Sequence, residues 1–151
     1  MKNYLILLLA AAVLFGCEKG PEQLSFSTVV TNTGCNKATR AETDEDSNPF
    51  LVLKYTSNGL ELTRYNALLN CAINNGGIIC DVSIEGNVIS YHAYEKDGTM
   101  LKCLCPVDRM SSVIGGLRLG KEYVLEYKCG EDRASIGFVY SNDLNEVFPL
   151  N

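Results

Sequence analysis

The chain has 151 residues, 46% of them hydrophobic and 21% charged, with 13 glycines, 4 prolines and no tryptophan, a balance that excludes a disordered, collagenous or multi-domain protein and fits one globular domain. Thirteen basic against 18 acidic side chains leave a formal net charge of −5, so the cation excess that drives phosphate-backbone binding is missing and nucleic acid is not an expected partner. Seven cysteines and a single histidine are the unusual counts.

In chain order, Lys2 supplies a positive start, Tyr4 to Phe15 is an unbroken apolar run, and Gly16-Cys17 follows at once, the layout of a secretory signal. The run is shorter than the roughly 20 apolar residues that a bilayer-crossing helix needs. Leu14-Phe15-Gly16-Cys17 resembles the lipobox of bacterial lipoproteins, with Phe15 bulkier than the residue usual there. The resemblance implies a signal peptide over 1–16, thioether lipidation of Cys17, a tether over 17–24 and one domain over 25–151. Cleavage before Cys17 leaves 135 residues with 12 basic and 18 acidic side chains. Contact with anionic lipid then has no polybasic help, so the membrane is reached through acyl chains, more than one of them, because a single chain binds only marginally. The expected location is the envelope of a Gram-negative-type bacterium, at the outer membrane.

Beyond the tether, Leu24 to Thr31 begins an apolar, β-branched stretch, and Lys37 to Asn48 is a polar, acid-rich loop closed by Pro49. Leu51 to Thr56 and Leu60 to Tyr65 flank Asn58-Gly59, a dipeptide suited to a two-residue hairpin turn. With those two as the turn, Tyr55 pairs with Leu62 and Val52 with Tyr65. Asn66 to Asn75 is the one segment that could pass for helix, ended by Gly76-Gly77. A second hairpin centred on Gly86-Asn87 sets Ile84 opposite Ile89, Val82 opposite Tyr91 and Cys80 opposite Ala93 as a core face. Its reverse face is polar, with Ser83 opposite Ser90 and Asp81 opposite His92, and a one-residue slip would scramble both. Tyr123 to Cys129 alternates, Ser135 to Tyr140 is a short apolar strand, and Val147 to Leu150 adds a last edge strand. Some eight strands with turn signals at short intervals predict an all-β, antiparallel two-sheet β-sandwich, with a small closed barrel as the alternative.

With Cys17 given to lipid, Cys35, Cys71, Cys80, Cys103, Cys105 and Cys129 remain, an even number in an exported chain, which reads as three disulfides. Cys103 and Cys105 lie two residues apart, so in an extended strand their side chains point the same way without reaching each other, and each bonds elsewhere. A thiolate metal site is disfavoured, because Cys103-Leu104-Cys105 is not a C-x-x-C knuckle and no second histidine exists. Each bridge would stabilise the fold by about 2 to 4 kcal/mol, mainly by restricting the unfolded chain.

Candidate chemistry is sparse. His92 facing Asp81 has the arrangement that orients an imidazole in hydrolase dyads, yet Ser83 and Ser90 on that face stand in no G-x-S-x-G elbow, so the pair reads as an exposed cross-strand ion pair that raises the histidine pKa. Asp44, Asp46 and Asn48 alternate like the opening of an EF-hand calcium loop, but Pro49 replaces its glycine and Tyr55 its closing glutamate; no metal and no cofactor is expected. Tyr94 with Tyr65 could stack on sugar rings.

The run from Leu60-Glu61-Leu62 to Asn70-Cys71, then Val82-Ser83-Ile84 with Asn87-Val88-Ile89, Cys103-Leu104-Cys105-Pro106-Val107-Asp108, and Gly116-Leu117 to Gly120-Lys121-Glu122-Tyr123 resembles a family of small uncharacterised bacterial lipoproteins over about half the chain. In that family an Asn-Cys, followed by a second cysteine, is matched by a later C-x-C-x-x-D. Ala72 stands in place of the second cysteine here, and Cys80 is a plausible substitute. The resemblance implies fold and compartment, and no activity. Together these readings predict a non-catalytic, lipid-anchored binding module for a glycan, peptide or partner lipoprotein. A secreted redox enzyme using Cys103 and Cys105, a hydrolase, and a protease inhibitor are the alternatives.

Overall fold

A computed structural model describes residues 24–31, 48–70, 78–96 and 104–150. Outside them lie the segment expected to be a signal peptide, Cys17, most of the acidic loop, Cys35, Cys71 and Cys103. The architecture is all-β, with nine strands among the described residues: β1 (Phe26–Thr31), β2 (Phe50–Thr56), β3 (Gly59–Asn70), β4 (Ile78–Glu85), β5 (Val88–Glu95), β6 (Leu104–Ile114), β7 (Glu122–Cys129), β8 (Asp132–Val139) and β9 (Asn145–Pro149). They form a five-stranded sheet in the order β1-β6-β3-β2-β9 and a four-stranded sheet in the order β4-β5-β7-β8, two open sheets not closed into a barrel. The ladders are antiparallel except for β5 with β7, which run parallel; the expectation of a wholly antiparallel sandwich is corrected at that pair.

The layers follow from side-chain alternation. In β2, Leu51 and Leu53 are fully buried while Val52 and Lys54 turn outward, and in β7 Tyr123, Leu125, Tyr127 and Cys129 are buried while Glu122 and Glu126 are exposed. The two inner faces meet in one core, to which each fully buried leucine contributes roughly 1.5 to 3 kcal/mol. Two buried tyrosine rings lie within it, with the exposed Phe26 at their edge. Tyr91 stacks on Tyr127 with centroids 5.4 Å apart, and Phe26 meets Tyr91 edge-on at 6.3 Å.

The β4–β5 hairpin has the register read from the sequence, with Ile84 paired to Ile89, Val82 to Tyr91, Cys80 to Ala93 and Asp81 to His92 around Gly86-Asn87. The β2–β3 hairpin does not. Its turn is Ser57-Asn58, Tyr55 pairs with Leu60, and Val52 pairs with Thr63. The displacement is two residues along the partner, which preserves the faces. Gly59 is the cause: at φ +138° its backbone lies so close to Ile114 of β6 that no Cβ fits, and Thr56 Oγ1 donates to its carbonyl at 2.8 Å. The glycine therefore opens β3 instead of closing the turn.

The segment from Asn66 that could pass for helix is strand where it is described: Asn66 to Asn70 continue β3, and 71–75 lie outside the described residues. Leu60, Leu62 and Arg64 are buried before Asn66, and Ala67 and Leu69 after it, with Leu68 exposed. Asn66 sits at φ 55°, a left-handed conformation that asparagine tolerates. It moves the buried set from even to odd positions and erases the period-two signal. In β6 the pattern changes likewise, from Val107 to Met110, Ser112 and Ile114. The apolar stretch read as Ser135 to Tyr140 lies in β8, and the last edge strand is β9 beside β2.

Gly59→Ala is expected to lower the free energy of unfolding by roughly 2 kcal/mol or more, since the added carbon meets backbone at a strained φ. Gly86→Ala, at positive φ but in open space, is expected to cost only about 1 kcal/mol. Urea unfolding of the two variants side by side measures the difference.

Candidate functional site

Two adjacent rows of sheet β4-β5-β7-β8 hold most of the chemistry. The inward row is Cys80, Ala93, Cys129 and Asp132; the outward row, one residue along each strand, is Asp81, His92, Lys128 and Arg133.

The inward row belongs to a polar cluster inside an otherwise apolar core. Arg64 of β3, 1% exposed, donates from one terminal nitrogen to Asp132 Oδ2 at 2.5 Å, while its Nε and other terminal nitrogen are buried without a hydrogen-bond partner. The Tyr127 hydroxyl beside it is likewise buried and unbonded. Tyr91 donates to Cys80 Sγ at 3.4 Å and shares a 2.9 Å hydrogen bond with Ser112, whose hydroxyl continues to Thr28 Oγ1 at 2.9 Å. This chain crosses from β4 through the core to β1. Burial pushes the Tyr91 and Tyr127 phenols far above their ordinary range, with the neighbouring Cys80 and Cys129 thiols respectively adding to the effect. Burial also pushes the Cys129 thiol up, against the opposing pull of the Arg64 charge. A thiol so held is kept in its unreactive protonated form.

Cys80 and Cys129 are free thiols. Both flank Ala93, two strand spacings or about 10 Å apart, beyond the reach of a disulfide. Cys105 pairs with Leu69 in the β3–β6 ladder. Among the described residues no group of three or more His, Cys, Asp or Glu side chains is arranged to hold a metal ion, and no helix is long and apolar enough to cross a membrane.

The outward row presents a different surface. Asp81 and His92 face each other in register as expected, but the ion pair does not form: the salt bridges among the described residues join Arg64 to Asp132 and Arg109 to Glu61. The His92 ring instead lies tilted against Tyr94, centroids 4.9 Å apart, because residues two apart on one face of a strand place flat rings side by side. Among the described residues His92 makes no hydrogen bond to Ser83 or Ser90, so no dyad with a hydroxyl nucleophile is assembled. Beside it opens a cleft of about 220 Å³ between the two layers, lined by Leu69 of β3, by Ile78, Ala93 and Cys129 of the inward rows, and by His92, Tyr94, Glu95 and Lys128, with Gly130 at its end. The Glu95 carboxylate accepts the Asn70 amide at 2.7 Å and ties the end of β3 to β5. Tyr65, the other tyrosine considered for sugar stacking, lies on the opposite sheet and stacks on Phe50 at 4.7 Å.

Arg64 and Lys128 were not distinguishable in the sequence as site residues. Arg64 stands at a position whose apolar alternation is its only signal, in Leu60-Glu61-Leu62-Thr63-Arg64; Lys128 takes its place from the parallel β5–β7 pairing, which joins segments 36 residues apart.

No family model, curated protein or solved structure matches this chain.

Asp132→Ala is expected to cost roughly 3 kcal/mol by stranding the Arg64 charge in the core, whereas Arg64→Met costs less because Asp132 keeps partial access to water. Thermal or urea unfolding ranks the two. A pH series gives an independent check. Cys129, Tyr91 and Tyr127 all have raised folded-state pKa values, so their contribution is fully present below the ordinary cysteine and tyrosine ranges and is lost as pH rises through them. Stability is expected to hold near neutrality and fall in alkali, and Tyr127→Phe, which deletes an unbonded hydroxyl, is expected to reduce that fall.

Proposed function

We propose that this protein is a lipid-anchored, extracytoplasmic binding module without catalytic activity, and that it meets its ligand in the cleft beside Tyr94, where the four-stranded sheet meets the end of β3. The observation that carries the reading is the cleft itself, in which Tyr94, His92 and Lys128 surround an apolar floor. That combination of an aromatic ring, a few polar groups and a hydrophobic base is the ordinary composition of a small-ligand site. Among the described residues no hydroxyl nucleophile is bonded to His92, which lends no support to the hydrolase alternative; Cys103 of the redox alternative lies outside the described residues.

The envelope location rests on the lipobox resemblance at Cys17 and on the resemblance to small bacterial lipoproteins. Of the three disulfides expected there, those that would use Cys80 and Cys129 are not formed, since both are free thiols; Cys35, Cys71, Cys103 and Cys105 are the cysteines proposed to cross-link in that compartment.

A mixed panel of oligosaccharides and peptides, screened against the full chain in detergent, tests the binding reading. Binding is expected from at least one class and is expected to weaken several-fold in Tyr94→Ala; panel members that bind equally well to that variant would place the site elsewhere. In the producing cell, Cys17→Ser is expected to move the protein out of the membrane fraction, and an unchanged distribution would refute the anchor.

A further inference from the structure

The outward row places two cations, Lys128 and Arg133, directly beside one another on β7 and β8, with the His92 imidazole next to Lys128 on β5. Like charges in cross-strand register repel. None of the three forms an ion pair with a described residue, although the chain as a whole carries more acidic than basic groups. The nearest carboxylate in the next row, Glu126, accepts a hydrogen bond from Ser135 at 2.6 Å. Lys128 lines both the Tyr94 cleft and a second depression of about 360 Å³ bordered by Glu126, Arg133 and Ser135, so the cations form the ridge between two hollows.

Building on the binding reading above, we infer that this row is the anion-recognising half of the Tyr94 cleft and that the ligand is an acidic saccharide. The row is about 10 Å long, two strand spacings from His92 to Arg133. Asp81 ends it on β4 and Glu126 bounds it in the next row, so it selects a discrete anionic group instead of a continuous charged surface such as a bilayer. Tyr94 offers a ring for the C–H face of a sugar. The exposed Ser83 and Ser90, one row further along the face, offer hydroxyls to its oxygens. Arg133 on the edge strand supplies a planar fork that matches a carboxylate.

The test uses the full chain in detergent, titrated separately with tetragalacturonate, neutral cellotetraose, inorganic phosphate and phosphatidylglycerol vesicles. Tetragalacturonate is expected to bind with an affinity that falls as salt rises, and Lys128→Gln with Arg133→Gln is expected to weaken it about tenfold, as loss of charge-assisted hydrogen bonds does. Arg133→Gln alone, at an exposed position, is expected to show part of the loss with the fold intact. Equal binding of cellotetraose, with no effect of the charge variants, would overturn the acidic specificity while leaving a Tyr94-dependent binding surface standing. Binding of phosphate or vesicles without tetragalacturonate would overturn the saccharide. If Tyr94→Ala changes nothing in any arm or in the mixed panel, the binding surface fails together with this inference.

Discussion

The register of the four-stranded sheet is the constraint on which the rest depends. Along each of its strands, neighbouring residues point to opposite faces, so Cys80, Ala93, Cys129 and Asp132 enter the core while Asp81, His92, Lys128 and Arg133 face outward. A slip of one residue would bury Asp81 in β4, Lys128 in β7 or Arg133 in β8, and turn core side chains such as Cys129 outward. Burying an unpaired charge costs several kcal/mol, so the polar outward row enforces the register as strongly as the apolar inward one.

Within the core, one charge is nonetheless buried. Arg64 reaches across from the five-stranded sheet to Asp132 on the edge strand of the other, and this link fixes how the two layers sit against each other at that corner. It is an expensive link, because two guanidinium nitrogens and the Tyr127 hydroxyl remain without partners. Hydrophobic replacements of buried ion pairs are often as stable or more so; what the pair adds is a single matched position between two otherwise smooth apolar faces. The stacked Tyr91 and Tyr127 rings and the hydroxyl chain from Cys80 to Thr28 add directional contacts at the same level of the sandwich.

The interior and exterior of this sheet thus divide the chemistry. Inside, burial holds Cys129 and the two tyrosines protonated, which makes them structural groups. Outside, His92, Tyr94 and Lys128 border an open cleft with an apolar floor. Ala93 and Cys129 of the inward row also reach this cleft, but with the Cys129 thiol held protonated the functional reading rests on the groups of the outer row that border it.

How much of this was legible in the sequence depends on the range of the interaction. The Gly86-Asn87 hairpin, with Asp81 across from His92 and an inward face of Tyr91 and Ala93, follows from local alternation and turn chemistry, and the structure has that register; the alternation of β7 was legible for the same reason. The two-sheet all-β class follows from many short strands repeating this pattern. Tertiary structure decided what local pattern cannot encode. The turn of the first hairpin is set by the approach of Gly59 to Ile114 from a distant strand, and the strand from Asn66 is hidden by a left-handed residue that breaks the period. The basic row exists only because β5 and β7 pair in parallel, and Arg64, which alternation puts on the apolar face of Leu60 and Leu62, has no visible partner until Asp132 is brought opposite it. Sequence by itself determines which face of each strand is apolar, since that is a property of neighbouring residues; which strands lie side by side is decided by packing among segments far apart in the chain, and the candidate site is made of that adjacency.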